Sequence, residues 1–397
     1  MPVPDGEQVV IGGSYLVRGR RGRWRGATVL DKRQQKTGTV ECYVHFDGDD
    51  RRLDQWVDLA KVKPRSQRYR SALTRCESRE KRIRKIKDAS PVSYIIDYSN
   101  VLEEEHKEVT KVKYIEVIRF GEFEIDTWYV SPYPDEYGRE KYLYICEFCF
   151  LYFRHERAFR MHLSSCNARH PPGREIYRDI MEGIAVFEID GEIEKMYCQC
   201  LCLFSKLFMD HKTIYFGVSG FLFYVLCELN QAGDVRPVGY FSKERGCADD
   251  LNLSCILIFP PFQRRGYGSF LIQLSYELSR RENIQGSPEK PLSDLGLASY
   301  RHYWAYRIVD HLSGLMDTSW IRVSELAGIL GMQVEDVVDT LEWLHLYDPT
   351  LISETPEDIE PWVFVYIKKL ELLRKTVARP PRLTLNARML HWRPNKM

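Results

Sequence analysis

Four residues with the spacing of metal ligands constrain the fold of this 397-residue chain more than any other feature. Cys146 and Cys149 are followed by twelve residues and then by His162, and Cys166 comes four positions later. Residues four apart on a helix lie on one face, so His162 and Cys166 point the same way. Three thiolates and an imidazole complete a tetrahedral zinc site with no open position, which predicts a structural metal. A DNA-reading finger is the competing interpretation, although a single finger reads only about three base pairs.

A second motif predicts a strand, a tight turn and a helix. Residues 263–268 (Gln-Arg-Arg-Gly-Tyr-Gly) follow the apolar run 256–259 and precede apolar residues with helical spacing. Glycines at 266 and 268 let backbone N–H groups approach a ligand, and a helix N-terminus favours an anion. The motif therefore favours a pyrophosphate site. An ordinary glycine loop with a solvated arginine pair remains the alternative for these six residues.

Charge is divided unevenly along the chain, although the formal net charge is only +1. Residues 1–90 contain 22 basic and 12 acidic side chains, whereas residues 91–397 contain 35 and 44. The first part suits nucleic acid or another acidic partner, and the second suits a basic peptide. We expect no membrane span, since no run of about 18 apolar residues occurs. Eleven cysteines without an apolar signal segment favour an intracellular protein with free thiols and metal ligands.

The N-terminal region is predicted to form a small barrel followed by a linker. Short β-rich runs alternate with glycines over residues 8–64, which is typical of a compact barrel. We interpret its aromatic residues mainly as core, with a cage for a methylated lysine as the alternative: Tyr15, Trp24, Tyr43, Phe46 and Trp56. Residues 65–110 begin with a dense basic run, which predicts a solvated linker that also suits nuclear import or nucleic-acid contact.

The remaining sequence predicts a mixed α/β core and a helical C-terminal part. Segments 221–227, 238–241 and 254–259 are apolar enough for central strands. Further on, two predicted helices flank Gly331, and Ser324 is expected to cap the first of them. A helix pair of this kind suits a helix-turn-helix.

Together, the zinc spacing and the downstream turn resemble those of the MYST-family histone acetyltransferases. Segments 210–216, 239–244 and 286–296 fit patterns of the same family, and the N-terminal region resembles its chromo-barrel. The resemblance implies an α+β multidomain protein with five parts. These are a chromo-barrel at 8–64, a basic linker at 65–110, a zinc-finger subdomain at 111–175, a GNAT-like α/β acetyl-CoA core at 176–315 and a winged helix-turn-helix-like subdomain at 316–397.

The resemblance also implies a co-substrate and its site. Zinc should be structural, and acetyl-CoA should be bound by the following residues: Cys255, Ile256, Leu257, Ile258, Gln263, Arg264, Arg265, Gly266, Tyr267, Gly268, Ser269 and Ser293. Glu289 matches the family's catalytic glutamate, and Cys255 matches a cysteine beside the acetyl thioester. Lys206 matches a lysine that family members autoacetylate and bury.

Each of these roles has a simpler alternative. Glu289 also fits a solvated loop, Cys255 a small apolar side chain on a buried strand, and Lys206 the protein surface. As a general base, Glu289 would deprotonate a substrate lysine, whose reference pKa is near 10.4. Direct attack of the amine in a ternary complex needs no acyl-cysteine, so we favour that route. Nearby cysteines at 198, 200 and 202 are interpreted as half-buried thiols rather than as a second metal site.

The implied function is acetyl transfer to a histone tail, with histone H4 as the expected substrate. The resemblance places the chain in the nucleus, on the chromosome and in a multiprotein chromatin complex, with DNA or RNA contacting the barrel and linker. A scaffold that holds acetyl-CoA without catalysis is the alternative. Three departures from the family pattern concern cofactor affinity and substrate preference: residues 217–220 replace an acidic proline-containing loop, Ser269 replaces a common lysine, and His302 replaces a frequent serine.

Overall fold

A computed structural model describes residues 9–19, 22–35, 38–65, 112–210, 212, 215–229, 235–247, 249–315, 320–346 and 362–394. These residues divide into two compact units. The first comprises the described residues up to 116 with 126–141 and 206–210, and the second comprises 117–125, 142–205 and those from 212 onwards. The expected basic linker lies outside the described residues, apart from Arg65.

The first unit contains the predicted barrel. Five strands form one sheet in the order β4-β3-β2-β1-β5, with antiparallel neighbours. Their bounds are Ser14–Arg18 (β1), Trp24–Gln34 (β2), Val40–Phe46 (β3), Gln55–Asp58 (β4) and Val62–Pro64 (β5). Small apolar side chains such as Val17, Val29 and Val44 are fully buried between the strands. The barrel expected from the short β-rich runs is confirmed. A short helix, α1 (Asp135–Gly138), also belongs to this unit.

The zinc-finger region forms a small four-stranded sheet in the order β7-β6-β8-β9. Its strands are Val117–Phe120 (β6), Phe123–Asp126 (β7), Tyr142–Ile145 (β8) and Tyr152–Phe153 (β9). β6 runs parallel to β8, and β9 folds back antiparallel to β8. Helix α2 (Glu156–Ser165) follows β9 and brings the second pair of predicted metal ligands towards the first pair.

A twisted antiparallel sheet forms the core of the second unit, in the order β10-β11-β12-β13-β15. Its strands are Arg174–Asp179 (β10), Ile184–Asp190 (β11), Phe221–Leu229 (β12), Val235–Glu244 (β13) and Cys255–Ile258 (β15). Three helices accompany the sheet: α3 (Lys195–Lys206), α4 (Tyr267–Glu282) and α5 (Asp294–Leu312). A short strand β14 (Leu251–Leu253) leaves the main sheet and pairs in parallel with β16 (Ser287–Pro288). In the described part of the chain, β15 is therefore an edge strand.

The C-terminal part is a small helix-and-strand region, as expected. Strands β17 (Trp320–Arg322) and β18 (Trp362–Phe364) pair antiparallel, and helices α6 (Val323–Leu330), α7 (Val334–Trp343) and α8 (Ile367–Thr376) accompany them. Gly331 ends α6 in the left-handed conformation. The predicted cap is wrong, because α6 begins at Val323 and Ser324 lies inside the helix, where no side-chain cap is formed. No helix among the described residues is long and apolar enough to span a membrane.

Candidate active site and metal centre

The four predicted metal ligands come together in the second unit. Cys146 follows β8 and begins a tight turn. A hydrogen bond from the Cys146 N–H to the Leu151 carbonyl oxygen, at 2.9 Å, closes this turn. Cys149 Sγ lies 3.3 Å from His162 Nε2, and the ligand atoms of all four residues lie within 4.8 Å of one another. The Cys166 N–H donates to the His162 carbonyl oxygen at 2.7 Å at the end of α2. This closed Cys₃His set fits a tetrahedral zinc ion and confirms the predicted structural metal.

The metal knuckle is packed against Phe259, the residue that follows the strand expected to bind acetyl-CoA. Phe150 lies directly after Cys149 in the left-handed conformation, with a φ of 60°, and is fully buried. Its ring centroid lies 5.5 Å from that of Phe204 on α3 and 5.7 Å from that of Phe259, which follows β15. Edge-to-face packing of this kind stabilises a core beyond simple area burial. The zinc site therefore supports the end of β15.

The predicted strand, turn and helix are present between β15 and α4. Arg264 and Gly266 both have positive φ angles, of 63° and 97°, and Gly266 precedes the first residue of α4. The first N–H groups of a helix have no intrahelical partner, and no side chain among the described residues caps α4. Ser269 Oγ in the same turn is buried and has no hydrogen-bond partner among the described residues. A free helix N-terminus with an unpartnered hydroxyl fits an anionic group of a cofactor.

The two arginines of this turn have different surroundings. Arg265 Nη1 donates to Glu228 Oε1 at 3.0 Å, and its Nη2 donates to the Pro261 carbonyl oxygen at 3.3 Å. Tyr267 also donates to Glu228, at 2.6 Å. Arg264 is exposed and forms no ion pair with any residue that the structure describes. Arg265 thus fastens the turn, whereas Arg264 remains available to a ligand.

Gln263 and Ser293, both expected to contact the cofactor, form hydrogen bonds with nearby backbone groups. Gln263 Nε2 donates to the Ile258 carbonyl oxygen at 2.9 Å, which ties the turn to β15. Ser293 is the N-cap of α5, and its Oγ accepts from the Gly296 N–H at 3.2 Å. In the structure both side chains organise loops.

Cys255 begins β15 and is half-buried. Its N–H donates to Ser242 Oγ on β13 at 3.3 Å. The ammonium group of the buried Lys212 lies 3.7 Å from Cys255 Sγ. Burial raises the pKa of the neighbouring Cys202 and Tyr240, so both are neutral near pH 7. We assigned no role to Lys212 from the sequence, because a lysine that follows Asp210 and His211 is typical of the protein surface.

The backbone of Glu289 is anchored beside the start of β15. β16 pairs with β14, and the Glu289 N–H continues this pairing by donating to the Leu253 carbonyl oxygen at 2.8 Å. Leu253 is two residues before Cys255 in the chain. The residue after Glu289 is also held, because Lys290 Nζ forms an ion pair with Asp336 Oδ1 at 2.8 Å. The Glu289 carboxylate itself is exposed, so a protein substrate has access to it.

Lys206 does not lie on the surface. It ends α3, is only 6% exposed and donates from Nζ to the carbonyl oxygen of Asp210. It belongs to the first unit, whereas Cys255, Glu289 and the turn at 263–268 belong to the second. The surface interpretation of Lys206 is therefore wrong, and the buried position implied by the family resemblance agrees with the structure.

The cysteines of α3 are fully buried rather than half-buried. Cys198, Cys200 and Cys202 are between 0% and 3% exposed, and burial raises the pKa of each thiol. Residues two apart lie on nearly opposite sides of a helix, so α3 is enclosed on several faces. Among the described residues, the only group of metal-ligand type is the Cys₃His set.

Four of the five barrel aromatics are buried or half-buried, whereas Trp24 is exposed, so the core interpretation does not hold for Trp24. Tyr43 and Phe46 are buried, and the Trp56 ring is covered by the Arg33 guanidinium at 4.1 Å from its centroid. Arg33 is itself held by Glu41 at 2.8 Å and by Glu116 at 3.2 Å. A methylated lysine would have to displace this internal cation, so the structure favours the core interpretation over the cage.

Comparison with known proteins covers most of the chain. A family model described as the MOZ/SAS family matches residues 170–364, and one described as the MYST family zinc finger domain matches residues 112–166. A third model, described as the RNA binding activity-knot of a chromodomain, matches residues 9–64.

Several named relatives are similar over long stretches. "Histone acetyltransferase MOF" of Drosophila melanogaster is 43% identical over 297 residues, which are 74% of this chain and 34% of that protein. "Histone acetyltransferase of the MYST family 1" of Arabidopsis thaliana is 40% identical, over 85% of this chain and 76% of that protein. "Histone acetyltransferase Tip60 homolog" of Caenorhabditis elegans is 35% identical, over 94% and 88%. The chain spans about a third of the length of the Drosophila relative. With its zinc finger and acetyltransferase domain, the chain belongs to the MYST family of histone acetyltransferases.

Proposed function

We propose that this chain transfers the acetyl group of acetyl-CoA to a lysine of a histone tail, with histone H4 as the preferred tail. The names of the relatives support a histone substrate, and with it a place in the nucleus and on chromatin. The observation that carries the proposal is the hydrogen bond from the Glu289 N–H to the Leu253 carbonyl oxygen at 2.8 Å. It fixes the backbone of an exposed glutamate against Leu253, two residues before the first residue of β15, the strand beside which the family resemblance expects the thioester.

The residues of the second unit fit acetyl-CoA. The free N–H groups at the start of α4 and the Arg264 guanidinium suit the pyrophosphate. β15 is an edge strand among the described residues, so its outer backbone groups at 255–258 can bond an extended pantetheine arm. When bound, acetyl-CoA supplies an acetyl group activated as a thioester.

Glu289 acts as the general base in this proposal. Its carboxylate takes a proton from the substrate ammonium, because only the neutral amine is a nucleophile. The amine nitrogen then forms its bond to the thioester carbonyl carbon, and the carbon–sulfur bond breaks. A second proton of that nitrogen passes to the departing CoA sulfur, and Glu289 releases the first proton to solvent. An outward N–H of β15 stabilises the developing oxyanion. Cys255 contributes no covalent intermediate in this ternary-complex route.

The barrel is proposed to contact DNA or RNA. Arg18 pairs with Trp24 across β1 and β2, and Lys63 Nζ lies 4.2 Å from the Trp24 ring centroid. Trp24 is 39% exposed, so this surface offers an aromatic ring with a lysine over it and an arginine at the paired position of the neighbouring strand. Such a combination binds phosphates and stacks on bases. The description of the matching chromodomain model supports this role. We also propose that the chain acts within a multiprotein chromatin complex.

An assay of acetyl transfer from labelled acetyl-CoA tests the substrate. We expect incorporation into an H4 tail peptide at a higher kcat/KM than into an H3 tail peptide. A substrate preference for H3 would contradict the H4 assignment. If neither peptide is labelled while acetyl-CoA still binds, the non-catalytic scaffold that the comparisons do not favour would replace the enzyme proposal.

A further inference from the structure

A C-terminal segment passes directly over the turn that is proposed to hold the pyrophosphate. We define residues 382–392 as the C-terminal strap. A Cβ placed on Gly266 would lie 3.2 Å from Arg382 Cβ and 3.5 Å from Leu383 Cγ. The strap therefore brings an arginine to the N-terminus of α4, although more than a hundred residues separate the two in sequence.

Hydrogen bonds fasten the strap along its length. The Gln273 side chain on α4 holds it near Arg382, with Nε2 donating to the Leu383 carbonyl oxygen at 2.8 Å and Oε1 accepting from the Leu385 N–H at 3.1 Å. Arg281, at the other end of α4, donates to three strap carbonyl oxygens at 2.8 to 2.9 Å, those of Ala387, Leu390 and Trp392. The fold thus fixes the base of the Arg382 side chain beside Gly266.

The charges around the turn leave a place for a second cation. Arg265 forms an ion pair with Glu228, so Arg264 is the arginine of the turn that is available to bind a phosphate. Ser269, the first residue after the turn, carries no charge. Arg382 is exposed and has no hydrogen-bond or ion-pair partner among the residues that the structure describes. Its planar guanidinium forms paired hydrogen bonds with phosphate oxygens.

We propose that Arg382 is a cofactor-binding residue that contacts the phosphates of acetyl-CoA from the C-terminal strap. It adds a second available positive charge beside Arg264. The inference rests on the proposed acetyl-CoA site at 263–269 and adds a residue from outside that motif. The phosphate concerned is part of the pyrophosphate or the 3′-phosphate of CoA.

Calorimetric titration of the full chain with CoA tests this assignment. Arg382→Gln should weaken binding about ten-fold, the value of one charge-assisted hydrogen bond, and Arg382→Lys should weaken it less. Arg388→Gln is the matched control, since Arg388 is an exposed arginine of the same strap, and it should bind CoA as the unsubstituted chain does. Equal thermal unfolding of the variants establishes that the fold is intact.

Titration with 3′-dephospho-CoA identifies the phosphate. If the effect of Arg382→Gln persists, Arg382 contacts the pyrophosphate, and if the effect disappears, it contacts the 3′-phosphate. Adding Ser269→Lys to Arg382→Gln should restore most of the affinity. CoA affinity of Arg382→Gln within two-fold of the unsubstituted chain would overturn the proposal. If the unsubstituted chain binds no CoA, the underlying acetyl-CoA site is wrong as well, so the two failures are distinguishable.

Discussion

The Glu289 N–H and the Leu253 carbonyl oxygen are joined by a hydrogen bond of 2.8 Å, although the helix α4 lies between them in sequence. The bond extends the parallel pair β14–β16 by one residue. Its acceptor, Leu253, is two residues before Cys255 in the chain. It gives a loop glutamate a fixed backbone position. The proposed base is therefore held by main-chain pairing, while its carboxylate stays exposed to substrate.

Cys255→Ala should retain turnover if acetyl transfer is direct. We expect kcat at saturating peptide to change by no more than about three-fold, since a ternary route needs no cysteine nucleophile. Acid quenching during turnover should trap no acetyl-enzyme on Cys255. A loss on the order of a hundred-fold or more, with labelled Cys255 in the unsubstituted chain, would instead establish an acyl-cysteine.

The two glycines of the turn should respond differently to alanine. Gly266 has a φ of 97°, and an added Cβ would press against Arg382, so Gly266→Ala should destabilise the fold by about 1 kcal/mol or more. A Cβ on Gly268 would meet only Ile258 Cγ1, at 3.7 Å. Gly268→Ala should therefore leave the temperature of thermal unfolding unchanged or raise it slightly. We expect it to weaken CoA binding, because an added methyl group hinders the close approach of a phosphate to the backbone of the turn. Unchanged CoA affinity in both variants would contradict the anion site.

Removal of zinc should loosen β15. Chelation frees the knuckle that carries Phe150, whose ring packs on Phe259 at 5.7 Å. Hydrogen exchange should become faster at residues 255–259 and in β8, while the barrel strands serve as the internal control. Exchange at β15 that is unaffected by complete zinc removal would show that the metal site does not support the cofactor strand.

The barrel should lose stability as pH rises through the neutral range. The hydrogen bond to Asp54, at 2.7 Å, raises the pKa of His45. A group with a raised folded-state pKa contributes stability that is complete below its unfolded value, about 6.5, and is lost as pH rises through the folded value. Burial also raises the pKa of Asp54, which His45 and Arg51 oppose without cancelling. Asp54 therefore also makes the barrel less stable as pH rises, but over a pH range that begins lower, near the ordinary pKa of an aspartate.

Hydrogen exchange of the barrel strands in the full chain, corrected for intrinsic rates, measures this dependence. Protection should decrease from about pH 6 to about pH 8, and His45→Gln should flatten the profile. A profile for His45→Gln that matches the unsubstituted chain would exclude His45 as the titrating group.

Local spacing predicted the zinc ligands and the strand-turn-helix, because both depend on residues close in sequence. Contacts between distant segments escaped prediction. The approach of Lys212 to Cys255 and of Arg382 to Gly266 depends on tertiary packing, which no short pattern encodes. Ser324 illustrates the limit for boundaries: its residue type favours a cap, but the N-cap is Arg322, two residues earlier, and α6 starts at Val323. Burial of the α3 cysteines likewise depends on the surrounding core.

The pH profile of acetyl transfer by Glu289→Gln tests the central proposal most directly. The glutamine keeps the backbone bond to Leu253 and the size of the side chain but cannot accept a proton. We expect kcat to fall by about a hundred-fold or more at neutral pH and to recover partly at high pH, with unchanged CoA affinity. Glu335→Gln, at an exposed glutamate of α7, should behave as the unsubstituted chain does. Equal turnover by Glu289→Gln and the unsubstituted chain at neutral pH would contradict the assignment of Glu289 as the base.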